Sequence, residues 1–170
     1  MTFGLVLAAL FGAMALLGGV GSVRRNRRRE RAFERAGAEL GLAPARCLPD
    51  LRERLAGLPA LQAPGHPVLM RGLEAPDVIL ADWLVRRGPK QRPRPRPRTL
   101  VAFRFAGRDL AVRQVAEVDE TPGGLGRVAL ESAGEWVACY CLDRRVPDAA
   151  LVAFHGRARE RLSSWVSVGG

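Results

Sequence analysis

Residues 68–105 read VLMRGLEAPDVILADWLVRRGPKQRPRPRPRTLVAFRF. Three runs rich in Val, Ile, Leu, Phe and Trp, at 68–74, 77–87 and 99–105, are short and bounded by turn formers, so they predict strands rather than helices. Ala75-Pro76 parts the first two, and GPKQRPRPRP makes the tip of a long hairpin between the second and third. The expectation is an antiparallel meander with a basic, Pro-rich insert at 88–98. In the third strand Val101, Phe103 and Phe105 alternate with Leu100, Ala102 and Arg104, and a period of two assigns the aromatic set to the buried face.

The chain continues in the same style on the C-terminal side. LAVRQVAEV at 110–118 and GRVALES at 126–132 predict a further pair, with turn chemistry at Pro122-Gly123-Gly124. EWVACYCL at 135–142 is the last strand, with Trp136, Ala138, Tyr140 and Leu142 on one face and Val137, Cys139 and Cys141 on the other. Asp148 is a good N-cap for a final helix in which Leu151, Phe154, Ala158, Leu162 and Trp165 share a face that covers the sheet. Gly156 weakens the middle of that helix by about 1 kcal/mol relative to Ala. The tail VSVGG is expected to fray.

On the N-terminal side, PDLRERLAGLP predicts a short helix from Pro49 or Asp50, with Leu51, Leu55 and Leu58 inward and Gly57 and Pro59 closing it. Residues 59–67 read as a connector in which His66 is a turn residue. In RRRERAFERAGAELGL, Phe33, Ala36, Gly37 and Leu40 recur at helical spacing, and Gly41 and Pro44 end the helix. The fold class expected is α+β: an N-terminal transmembrane helix followed by a mostly antiparallel sheet covered by helices.

The transmembrane expectation rests on residues 3–23, FGLVLAALFGAMALLGGVGSV, which carry no charge. As a helix they extend roughly 30 Å, the thickness of a bilayer's hydrocarbon core. A cleaved secretory signal has its cations before the apolar core, whereas Met1 to Gly4 have none on their side chains. Here Arg24, Arg25, Arg27, Arg28, Arg29 and Arg31 follow the run. The positive-inside rule then places the N-terminus outside and the rest in the cytoplasm, as a single-pass protein of the inner (plasma) membrane. The organisation expected is an anchor at 3–23, a basic juxtamembrane segment at 24–31 and a cytoplasmic α+β domain at 32–166. Within the span Gly4, Ala8, Gly12, Ala15 and Gly19 line one face, a ridge on which two helices of a homodimer can approach closely.

The formal charge of +10 is local. Six cations with Glu30 lie in 24–31, and seven more with no anion are Arg86, Arg87, Lys90, Arg92, Arg94, Arg96 and Arg98. The remaining residues hold 14 basic and 16 acidic groups, so the folded body is slightly acidic. Cys47, Cys139 and Cys141 make an odd count in a chain expected to face a reducing compartment, which predicts free thiols.

The order of anchor, arginine cluster, helix ending in AGAELGL, RGLEAPDVILADWLVRRG, basic insert, TLVAFRFAGRDL and CYCLDRRVPDAALVAF resembles a family of uncharacterised bacterial single-span membrane proteins with a small cytoplasmic α+β domain. In that family a G-x-V-x-x-F-D-Y-like strand precedes a hairpin tip containing glycine and lysine. Asp82 and Trp83 stand where its D-Y pair would be, and arginine-proline repeats replace the tip. The resemblance implies this architecture and carries over no catalytic residues.

The motifs of chemistry are sparse. No G-x-S-x-G occurs, and His66 and His155 are the only histidines, so a nucleophile lacks an evident base. Cys139 and Cys141 share a strand face, but a metal needs two more ligands. Gly123-Gly124-x-Gly126 lacks the lysine and Ser/Thr of a phosphate-binding loop. Asp77 and Asp82 flank a strand with no recognisable partner. No catalytic residue, metal or cofactor is therefore assigned, and a hydrolase built on Asp82, His66 and Cys139 is a remote alternative. The function expected is a membrane-anchored, non-enzymatic interaction module that docks a protein partner or an anionic lipid surface. Arg24, Arg25, Arg27, Arg28, Arg29, Arg92, Arg94, Arg96 and Arg98 are the candidates for the anionic surface. Nucleic-acid binding through the same segments is a weaker alternative, because the insert contains no aromatic side chain for base stacking.

Overall fold

The computed structural model describes the backbone of residues 2–62, 67–84, 97–119, 126–142 and 145–168, and the side chains of 21–62, 67–84, 97–118, 126–142 and 145–167. Helix α1 runs unbroken from Thr2 to Leu40, 39 residues, about 58 Å at 1.5 Å per residue. The expected span and the amphipathic helix after it are thus one element. Among the described residues no helix is long and apolar enough to cross a membrane. The side chains of 3–20, on which the span and its Gly4, Ala8, Gly12, Ala15, Gly19 ridge depend, lie outside those described. Gly41, at φ +69°, ends α1 as the sequence predicts. The Leu42 N–H then donates to the Gly37 carbonyl at 2.8 Å, satisfying one of the helix's last carbonyls by a left-handed turn that glycine adopts without strain.

Seven strands follow in one antiparallel sheet: β1 (Ala43–Pro44), β2 (Val68–Ala75), β3 (Val78–Leu84), β4 (Pro97–Arg104), β5 (Leu110–Asp119), β6 (Gly126–Gly134) and β7 (Trp136–Cys141). Their spatial order is β1-β2-β3-β4-β7-β6-β5. The α+β class and the antiparallel meander β2-β3-β4 are as the sequence predicts. The differences that change an element are these. Pro44, expected only to stop a helix, joins Ala43 in the two-residue strand β1 against Glu74 and Leu73. Pro97 and Arg98, expected in the insert, extend β4 and pair with Leu84 and Trp83. The presumed connector 59–67 contains a helical turn, α3 (Pro59–Gln62), after α2 (Leu48–Arg54).

The sheet is buried on both faces. Against one, α1 and the last helix α4 (Leu151–Val168) pack Ala32, Phe33, Ala36, Leu151, Phe154, Ala158 and Leu162 onto Leu73, Leu80, Val101, Val128, Leu130, Val137, Cys139 and Cys141. Against the other, α2 and α3 pack Leu51, Leu55, Leu58 and Leu61 onto Ile79, Trp83, Leu100, Ala138 and Tyr140. The expected division of β4 into a buried and an open face therefore fails at Leu100 and Ala102, both 0% exposed. β4 is central in the sheet, and α2 and α3 cover its second face. The division of β7 holds as read.

Helix α4 continues through Gly156 and on to Val168, so the tail up to that residue is helical rather than frayed. Asp148 is not its cap. It starts a 3-10 turn, Asp148–Ala150, that feeds α4, and Pro147 holds the cap position before that turn.

Candidate functional site

Asp82 sits near the end of β3, in a run that is otherwise Val, Ile, Leu, Ala and Trp. A carboxylate at 1% exposure needs donors, and the sheet register supplies neighbours on both sides: Arg71 opposite it on β2, Thr99 opposite it on β4. The third partner comes from outside the sheet. Arg29 of α1 lies four residues before Phe33 and therefore on the same helix face. Its Nε donates to Asp82 Oδ2 at 2.8 Å and its Nη2 to Oδ1 at 2.7 Å, a two-pronged pair. Nη2 also donates to Thr99 Oγ1, and Nη1 to the Val146 carbonyl and to Asp148 Oδ1, at 2.8, 2.8 and 2.9 Å. The Thr99 hydroxyl in turn donates to Asp82 Oδ1 at 2.8 Å.

Arg29 is 0% exposed. Burial works against its charge, yet the hydrogen bonds and field of Asp82 and then Asp148 outweigh it, and the guanidinium's pKa stands above its ordinary value. Phe33 closes the cluster from below, with the Arg29 and Arg71 guanidinium carbons 5.0 and 5.9 Å from the ring centre. Arg71 Nε and Arg145 Nη1 stand 3.8 and 3.9 Å from Asp82 Oδ2. Three arginines thus gather around two aspartates. Arg145 responds with a lowered pKa, from burial first and then from Arg29.

Arg29 is the correction to the expected surface set. Its neighbours Arg24, Arg25, Arg27 and Arg28 are exposed, as a lipid-facing role requires, while Arg29 is turned inward and its donors are spent inside the protein. Arg28, Arg31 and Arg35, together with Glu34 and Asp148, line an open cleft of about 700 Å³ beside this cluster. Arg92, Arg94 and Arg96 lie outside the described residues. Arg98 is half-buried on β4, its guanidinium 5.7 Å from the Trp83 ring and 5.9 Å from that of Tyr140.

A second polar cluster occupies the opposite face. Glu131, 0% exposed, accepts from Gln114 Nε2 at 2.6 Å, from the Tyr140 hydroxyl at 2.7 Å and from the Ala60 N–H at 2.8 Å. It therefore caps α3 from the sheet and ties β5, β6 and β7 together. Burial raises the Glu131 carboxyl above the ordinary carboxylate value, against the pull of its three donors. Trp83 stands edge-on to Tyr140 at 5.3 Å.

The remaining candidates are dispersed. His155 packs on Phe103 at 5.1 Å between ring centres, and burial followed by Arg159 lowers its pKa. Cys139 and Cys141 are buried and Cys47 is partly exposed, and no group of metal-binding side chains occurs among the described residues. Asp82 is filled by Arg29, Cys139 is wholly buried, and His66 lies outside the described residues.

Sequence reasoning gives Thr99, Arg71 and Arg145 no role, takes Asp148 for a helix cap and leaves Asp82 without a partner. A signal was present. Arg29 extends the Phe33, Ala36, Leu40 face by one turn, and Asp82 is a charge inside an apolar strand. In comparisons with family models, with curated proteins and with solved structures, none matches the chain.

Proposed function

We propose that the chain is a single-pass membrane protein whose α+β domain is a non-enzymatic interaction module held against an anionic leaflet by a collar of arginines. The observation that carries this reading is the path of α1. One helix leads from the apolar run into the hydrophobic core, where Arg29 is held by β3, β4 and the 3-10 turn. A helix locked in this way transmits the orientation of its first half to the domain. The exposed arginines 24, 25, 27 and 28 lie just beyond the apolar run, and Arg31 and Arg35 follow further along the helix at the cleft. At about 1.5 Å per residue the first four fall at the level of lipid headgroups if the run spans the bilayer. Each cation near an anionic surface contributes about 1 kcal/mol.

Two measurements test the reading. A reporter fused after Gly170 should be active only in its cytoplasmic form, and periplasmic activity would overturn the topology. In vesicles carrying the full chain, energy transfer from the domain's tryptophans to a dansyl-labelled phosphatidylserine should exceed transfer to labelled phosphatidylcholine. Salt should cut the excess, and replacing Arg24, Arg25, Arg27 and Arg28 by Gln should remove it. Equal transfer to both lipids would refute the collar.

A further inference from the structure

The two edges of the sheet are unlike. At one, β1 is only two residues long, a short edge of the kind that discourages further pairing. At the other, β5 runs for ten residues, Leu110–Asp119, and is paired only on its β6 side. Among the described residues nothing hydrogen-bonds along its outer side. Val112 and Val118 are 66% and 57% exposed there, the two most exposed large apolar side chains described.

The sequence of β5 is complementary to itself. Placed antiparallel to a copy with a two-fold axis at Val115, Arg113 faces Glu117 and Gln114 faces Ala116, each pair occurring twice. Opposite charges and apolar partners directly across an antiparallel pair are stabilising, and like charges are not. Moving the axis by one residue to Gln114 sets Arg113 against Val115 and Glu117 against Ala111, which leaves both charges without a counterpart. Arg113 and Glu117 are also held in place from below: Arg113 lies over the Trp165 ring at 5.3 Å, and Glu117 Oε2 accepts from Arg161 Nε at 3.1 Å. The bulge between Leu110 and Arg113 twists only the first part of the strand, and residues 113–119 keep a regular register with β6.

We infer that β5 pairs antiparallel with β5 of a second copy about an axis at Val115, joining two sheets into one. This dimer surface is independent of the anchor and of its lipid contacts.

The axis makes the test specific, because a residue on it meets itself. In the full chain in detergent, with Cys47→Ser to remove the accessible thiol, Val115→Cys should form a disulfide dimer under mild oxidation, its Cβ atoms being about 4.5–5.5 Å apart. Val112→Cys, three residues from the axis and so distant from its own copy, should cross-link at least about tenfold less. Light scattering of the uncross-linked protein gives the second reading. Arg113→Glu should shift dimer to monomer, and Arg113→Glu with Glu117→Arg should restore the dimer by exchanging the charges. Cross-linking no greater at 115 than at 112 would overturn the inference. So would a monomer mass for the wild type, an outcome that leaves the edge to a strand from a different protein.

Discussion

Removing Asp82 tests whether a single buried ion pair fastens α1 to the sheet. In Asp82→Ala the Arg29 guanidinium loses the two hydrogen bonds at 2.8 and 2.7 Å and its buried counter-charge, while it stays at a position with no exposure to water. Asp148 remains, but it is 38% exposed and meets only Nη1. Leaving one charge of a buried pair without its partner costs about 3–5 kcal/mol. For a protein of this size that lowers the melting temperature by on the order of 10 °C. The assay is thermal or urea unfolding followed by circular dichroism, with Arg29→Met, Asp82→Leu and the double variant completing a cycle. The double variant withdraws both charges and fills the space, so it should recover most of the loss and give a coupling energy above about 2 kcal/mol. A shift below about 2 °C for Asp82→Ala, or a double variant as damaged as the sum of the singles, would refute the reasoning.

Two further outcomes follow from single positions. Gly156 is an exposed residue inside α4 at which an added Cβ meets nothing within 4 Å, so Gly156→Ala should stabilise the domain by up to about 1 kcal/mol in urea unfolding; a loss of stability would show that the glycine is needed for a reason other than helix propensity. Glu131 has a raised pKa in the folded protein, so the stability it contributes is fully present below its unfolded value of 4.5 and is lost as pH rises through the higher folded value. The stability of wild type relative to Glu131→Gln should therefore fall from acid toward neutral pH, and a difference independent of pH would contradict the burial argument.

Elements set by local pattern were legible in the chain, while features set by contacts between distant residues were not. The strands could be read from residues such as Val78 to Leu84, and the end of α1 from Gly41, because alternation and left-handed backbone are properties of a few consecutive positions. The two faces of β7 could be read from Trp136 to Leu142 for the same reason. The second buried face of β4 depends on α2 and α3, elements more than 30 residues away, and Leu100 carries no local mark of that neighbour. Asp148 shows the limit most clearly. As an isolated residue before an apolar stretch it has the chemistry of a helix cap, but an arginine 119 positions earlier takes its carboxylate.

The arginine cluster at 24–31 illustrates how one composition divides into two roles. A helix advances about 100° per residue, so of six neighbouring arginines only those in step with Phe33 can turn toward the sheet. Arg29 is in step, one turn before Phe33, and becomes a bond between helix and domain; Arg24, Arg27, Arg28 and Arg31 are out of step, Arg25 lies a further turn back along the same side, and all five stay outside. An ion pair buried this deeply adds little net stability over an apolar pair of the same shape, but it tolerates few alternative geometries. Rotating α1 by one residue would leave Arg29 without Asp82, Thr99 and Asp148 together. The inward arginine therefore determines the direction in which the outward ones point, so the collar proposed above would depend on a charge that never reaches its surface.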